Sequence, residues 1–96
     1  MQPGRERIFY SVVTRCELFA GHEMEEETVQ RLLEPFEEVP VDRPLAERAG
    51  RLRRAAGLRT PDALIAATAL EHQLVLVTRN TRDFRAARGL VLRPSL

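Results

Sequence analysis

The sequence has little that would tie it together covalently or hold it in a membrane. Its 96 residues include one cysteine and no tryptophan. A single cysteine excludes an intramolecular disulfide framework and a four-thiolate zinc site. No apolar run approaches the ~18 residues of a membrane span, and the basic, broken start at residues 1–7 is no signal peptide. A soluble cytoplasmic protein is the expectation. Aromatic residues are only 5% of the chain, too few for base stacking to drive nucleic-acid binding. Charge of one sign is also lacking: the net charge is +1, so bulk charge does not mark a nucleic-acid binder. Lysine is absent. All 15 basic residues are arginine, whose planar forks suit phosphate better than an ammonium does.

What is present is an ordinary globular composition, 44% apolar and 30% charged with both signs, which argues against a disordered chain. The length suits one domain with a modest core. No repeat, low-complexity segment or linker interrupts it.

The apolar pattern alternates between strand and helix. Ile8–Val13 is β-branched and aromatic and reads as a strand. Thr14 then caps a short helix that meets Gly21. From Glu25 the spacing of Val29, Leu32, Leu33 and Phe36 is helical, and Pro35 ends it. Glu38–Val41 reads as a short strand, with Pro40 confining it to a sheet edge. Asp42 caps a third helix whose stripe is Leu45, Ala49, Leu52 and Ala56, and Gly57 stops it. Thr60 and Pro61 open a fourth helix, apolar nearly all round over Ala63–Leu70. Leu74–Val77 reads as a parallel strand covered on both faces. A turn of helix near Asp83–Ala87 and a strand near Leu90–Arg93 follow. The class is α/β with a mainly parallel sheet, and such sheets bind ligands at the carboxyl ends of their strands.

An acid stands at each strand-to-helix junction. Glu17 follows the first strand, Asp62 opens the fourth helix and Asp83 follows Leu74–Val77. Each has a plain structural reading. Thr14 and Glu17, like Asn80 and Asp83, have capping-box spacing, and Asp62 in a first turn complements the helix dipole. Their convergence has a chemical reading. Three carboxylates at one sheet edge repel unless a cation lies among them, and oxygen-only donors favour Mg²⁺ or Mn²⁺. Such a site can activate water against a phosphodiester.

The motifs Pro61-Asp62-Ala63-Leu64-Ile65-Ala66-Ala67-Thr68-Ala69 and Leu76-Val77-Thr78-Arg79-Asn80-Thr81-Arg82-Asp83-Phe84 resemble the C-terminal half of a PIN domain. Ser11-Val12-Val13-Thr14-Arg15-Cys16-Glu17-Leu18-Phe19-Ala20-Gly21 resembles its second strand and following helix. The similarity is to the VapC-type toxins of bacterial toxin–antitoxin pairs and spans roughly Ile8 to Leu92. It implies a three-layer α/β/α sandwich and a Mg²⁺-dependent (or Mn²⁺-dependent) endoribonuclease held inactive by an antitoxin, working as a homodimer on RNA. It also implies that Glu17, Asp62 and Asp83 are the catalytic, metal-binding acids, with Asn80 beside the metal and Thr78 touching a metal-bound water. Arg54, Arg59, Arg79 and Arg82 are the candidate contacts to RNA phosphates.

One family feature is missing: the first strand, which ends in an aspartate and runs through the middle of the sheet. Glu6 precedes the second strand and does not replace that acid. The expectation is one N-terminally truncated PIN-like domain over residues 1–96, lacking the central strand and its following helices. Two functions follow from this: a nuclease working with three acids, or an inactive PIN-like module that binds an antitoxin or self-associates.

Other residues take plainer readings. Cys16 reads as a small buried apolar residue. His22-Glu23-Met24-Glu25-Glu26 lacks the second histidine of the zinc-protease motif. His72 serves a helix C-terminus, and Glu25–Glu27 a solvated first turn. The run Arg51-Leu52-Arg53-Arg54 reads as a solvated helix face, and Phe84 as a core plug.

Overall fold

The computed structural model describes residues 7–96, so Glu6 and the rest of residues 1–6 lie outside the described residues. The chain divides between Pro40 and Val41 into two compact units.

The first unit contains β1 (Phe9–Ser11), α1 (Val12–Ala20), α2 (Glu26–Leu33) and β2 (Glu37–Val39). β1 and β2 pair in parallel, with Phe9 opposite Glu37 and Ser11 opposite Val39. Strand gives way to helix without a loop. Ser11 ends β1 and its Oγ accepts a hydrogen bond from Val13 N at 3.1 Å, capping α1. The helix therefore starts at Val12 and not after Thr14. The first strand is three residues long, because a serine that can cap arrives before the β-branched run ends. α2 begins and ends as its acidic first turn and Pro35 require. Val29 and Leu33 form its buried face, and Glu27 pairs with Arg31 one turn on. Pro40 falls just beyond β2 instead of inside it.

The face of the β1–β2 pair carries an ionic cluster. Arg15 on α1 donates to Glu38 Oε1 and, at 2.8 Å, to Tyr10 Oη, and Tyr10 Oη donates to the same Glu38 oxygen at 3.0 Å. Arg7 grips Glu37 with two bonds of 2.9 and 2.7 Å. Hydrogen bonding from Arg15 holds the Glu38 carboxyl below the usual glutamate range, and that from Arg7 does the same for Glu37.

The second unit contains α3 (Arg43–Ala56), α4 (Thr60–Glu71), β3 (Leu76–Val77), α5 (Thr81–Phe84) and β4 (Leu92–Arg93). α3 follows its sequence signals closely. Asp42 Oδ1 accepts from Leu45 N at 3.1 Å, and Gly57 takes φ 71°, the left-handed C-cap that favours glycine. Leu45 and Ala49 are buried, with Leu52 and Ala56 packed beside them. The N-cap position of α4 falls at Arg59, one residue before Thr60, without a side-chain capping bond, and Pro61 lies in the first turn. Ala63, Ala66, Ala67 and Ala69 are buried along it. Their small side chains let neighbouring elements come close. Leu45, Ala49, Leu58, Ala63, Ala66, Ala67, Phe84 and Ala87 make one core.

β3 and β4 pair in parallel, with Leu76 opposite Leu92. Both leucines pack against the core. Val75, Val77 and Val91 are exposed, so β3 is covered on one face only. Strands alternate their side chains, and only the leucine face has a helix to meet.

The end of α4 is a Schellman turn. Leu74 N donates to Ala69 O at 2.8 Å and Gln73 N to Leu70 O at 3.4 Å, with Gln73 at φ 54°. Glycine is the usual occupant of that position.

Two outcomes are expected. Gln73→Gly should raise stability to urea unfolding by about 0.5–1 kcal/mol, the left-handed cost for an L-residue less the added freedom of the unfolded chain. The second concerns acid. A carboxyl whose folded pKa is depressed contributes stability above its unfolded pKa, lost as pH falls through the folded value. Glu38→Gln should therefore make the drop in Tm between about pH 5 and pH 3 shallower than in the parent chain.

Candidate functional site

The second unit carries four of the residues that the sequence singles out, and hydrogen bonds link three of them, Thr78, Asn80 and Asp83. β3 runs out at Val77, and Thr78 N extends the ladder to Arg93 O at 3.0 Å. Thr78 Oγ1 accepts from Asn80 N at 3.1 Å, which turns the chain into α5. Asn80 occupies the N-cap, but its side chain does not bond the helix backbone. Its Nδ2 instead donates to Asp83 Oδ2 at 2.6 Å. The expected capping box is therefore replaced by a direct bond between its two side chains. Once the amide nitrogen is committed to Asp83, the Asn80 Oδ1 is left as an acceptor.

Asp62 lies in the first turn of α4. Its side chain is only 15% exposed, and its one ionic contact among the described residues, to Arg59 Nη2, is 3.5 Å long. That distance is at the limit of a hydrogen bond. Asp62 thus keeps most of its acceptor capacity. Asp62 precedes Ala63 and Asp83 precedes Phe84, and those two side chains belong to one buried cluster. The backbone at both acids is anchored to the same core.

Glu17 belongs to the first unit. Because α1 starts at Val12, Glu17 is its sixth residue and not a first-turn acid, and it is exposed. Cys16 is exposed too, contrary to the sequence reading, since α1 buries no residue fully. Within neither unit do three His, Cys, Asp or Glu side chains gather to hold a metal ion among the described residues.

Among the candidate phosphate contacts, Arg54, Arg79 and Arg82 are exposed, and Arg59 faces Asp62. Arg51, Arg53 and Arg54 lie on the solvated face of α3, as expected, with Arg53 Nε donating to Leu58 O at 3.1 Å. No described helix is long and apolar enough to cross a membrane.

Comparison with known proteins bears on the fold and the family. No curated protein matches the sequence. Several solved structures do. A toxin–antitoxin complex from Klebsiella pneumoniae is 35% identical, with a TM-score of 0.75 over 90% of this chain and 73% of that one. FitAcB from Neisseria gonorrhoeae is 30% identical, with a TM-score of 0.70 over 88% of this chain and 73% of that one. FitAB bound to an IR36 DNA fragment is 25% identical, with a TM-score of 0.69 over 86% of this chain and 69% of that one. The PIN domain family matches residues 3–90. With its parallel strand pairs, its α/β fold and that match over most of its length, the chain belongs to the PIN-domain family.

Proposed function

We propose that this protein is the toxin of a toxin–antitoxin pair, a divalent-metal-dependent endoribonuclease of the VapC type. One observation carries the reading: in a PIN-family chain, Asp62 and Asp83 are held by backbone anchored to a single core. The likeness to toxin–antitoxin complexes supports an antitoxin as partner. The active assembly in this reading is a cytoplasmic homodimer.

The donor chemistry fits the metal. Asp62, Asp83, the Asn80 amide oxygen and the Thr78 hydroxyl offer only hard oxygens. Mg²⁺ is commonly held by one or two carboxylates and otherwise by water and substrate phosphate. Asp62 and Asp83 would hold it. When bound, such an ion supplies positive charge to the scissile phosphate and makes water more acidic.

The remaining roles belong to the chain. Asn80 fixes the Asp83 carboxylate through its 2.6 Å bond. Low exposure keeps Asp62 from being dispersed among waters. Arg54, Arg59, Arg79 and Arg82 would hold RNA phosphates in register with the acids.

A second reading is an inactive PIN-like module that binds an antitoxin or self-associates. The observation favouring it is that Glu17 is exposed in the middle of α1 and not held at the start of a helix.

RNA cleavage by the purified chain in Mg²⁺ or Mn²⁺, with EDTA as control, separates the two. Cleavage should require the metal, and Asp62→Asn should lower it roughly 100-fold or more, with Asn80→Ala costing about tenfold. Absent cleavage by a folded sample would leave the binding module as the function, and cleavage that persists in EDTA would overturn the metal-dependent reading.

A further inference from the structure

The net charge of +1 conceals a strong segregation. Residues 1–40 contain four arginines and nine glutamates, whereas residues 41–96 contain eleven arginines and five acids. Much of that excess is concentrated in one short segment. Arg79, Arg82, Arg85 and Arg88 recur every third residue, and all four are exposed. Among the described residues none of them forms a salt bridge. The single acid between them, Asp83, is bonded to Asn80.

We propose that Arg79, Arg82, Arg85 and Arg88 form a strip that tracks the phosphates of single-stranded RNA without reading its sequence. The inference rests on the nuclease reading for its substrate and extends it by two residues, Arg85 and Arg88, and by a mode of recognition.

One observation favours phosphate over an acidic protein, since guanidinium groups pair with carboxylate and phosphate oxygens alike. A protein partner needs apolar anchors at the centre of its contact, and here the large apolar residue of the segment, Phe84, is buried with Ala87 in the core. What stands outside between the arginines is small or polar: Asn80, Thr81, Asp83 and Ala86. The strip also offers no aromatic ring to stack on a base, so contacts fall on the backbone common to every sequence. A duplex is disfavoured because α5, at four residues, is too short to fill a groove.

The test is binding, not cleavage. The full chain in EDTA would be titrated against fluorescent single-stranded RNA oligomers of different sequence, across a range of salt. Affinity should vary little with sequence. Replacing Arg82, Arg85 and Arg88 together by alanine should weaken binding roughly tenfold to a hundredfold near 100 mM salt and flatten the log–log salt slope by about two. A charge-matched control, Arg31→Ala with Arg43→Ala and Arg93→Ala, should change affinity by less than about threefold. Melting curves would establish that both triple variants are folded. Unchanged affinity and slope in the first variant overturn the strip, as does equal binding of polyglutamate, which would point to an acidic protein instead. If metal-free RNA binding behaves as expected while Mg²⁺ yields no cleavage, the nuclease reading fails and the strip stands. Cleavage with no effect of the triple substitution on binding gives the reverse.

Discussion

The alanine run of α4 is the constraint on which the second unit depends. A helix that buries Ala63, Ala66, Ala67 and Ala69 presents little side-chain bulk along that face, with Leu64 and Ile65 packed beside it. Other elements can therefore reach its surface closely: α3 through Leu45 and Ala49, the α3–α4 connection through Leu58, and α5 through Phe84. Interiors are close-packed, and a small residue on one element is useful only if a large one fills the space opposite. Phe84 and Leu45 fill it here. The result is a rigid base for the start of α4 and the whole of α5, the two places where Asp62 and Asp83 stand.

The same packing explains how so short a helix as α5 keeps its place. Four residues cannot sustain a helix on backbone hydrogen bonds alone. Phe84 anchors it from below, and the Thr78–Asn80–Asp83 chain of hydrogen bonds holds it from above. The polar residues available to chemistry are thus also the ones that fix the local backbone, so their roles in function and in folding are not separable by inspection of either alone.

Much of this could be read in the sequence. α3 was legible to the residue because its signals are unambiguous: a capping aspartate, a clean stripe and a glycine that takes a left-handed backbone. The PIN resemblance was legible because three motifs occur in order. α1 was misread because Ser11 and Thr14 both carry hydroxyls suited to capping, and only the tertiary setting decides which one is used. That displaced Glu17 from the first turn and Cys16 from the interior. Asn80 and Asp83 have capping-box spacing, but their side chains bond one another, a choice between two good hydrogen-bond partners that spacing does not encode. The segregation of charge was present in the sequence throughout. A net charge sums it away, and it emerges only when arginines and acids are counted on each side of Pro40.

The β3–β4 pair has a consequence for the behaviour of the chain at high concentration. Val75, Val77 and Val91 leave one face of this ribbon greasy, and exposed valine-rich β-structure is the raw material of fibril growth. Each strand, however, is two residues long, and Arg93 sits directly opposite Val77. Too few backbone groups line up to template an incoming chain, and a fixed positive charge interrupts the row. Brevity of the strands here acts as colloidal protection.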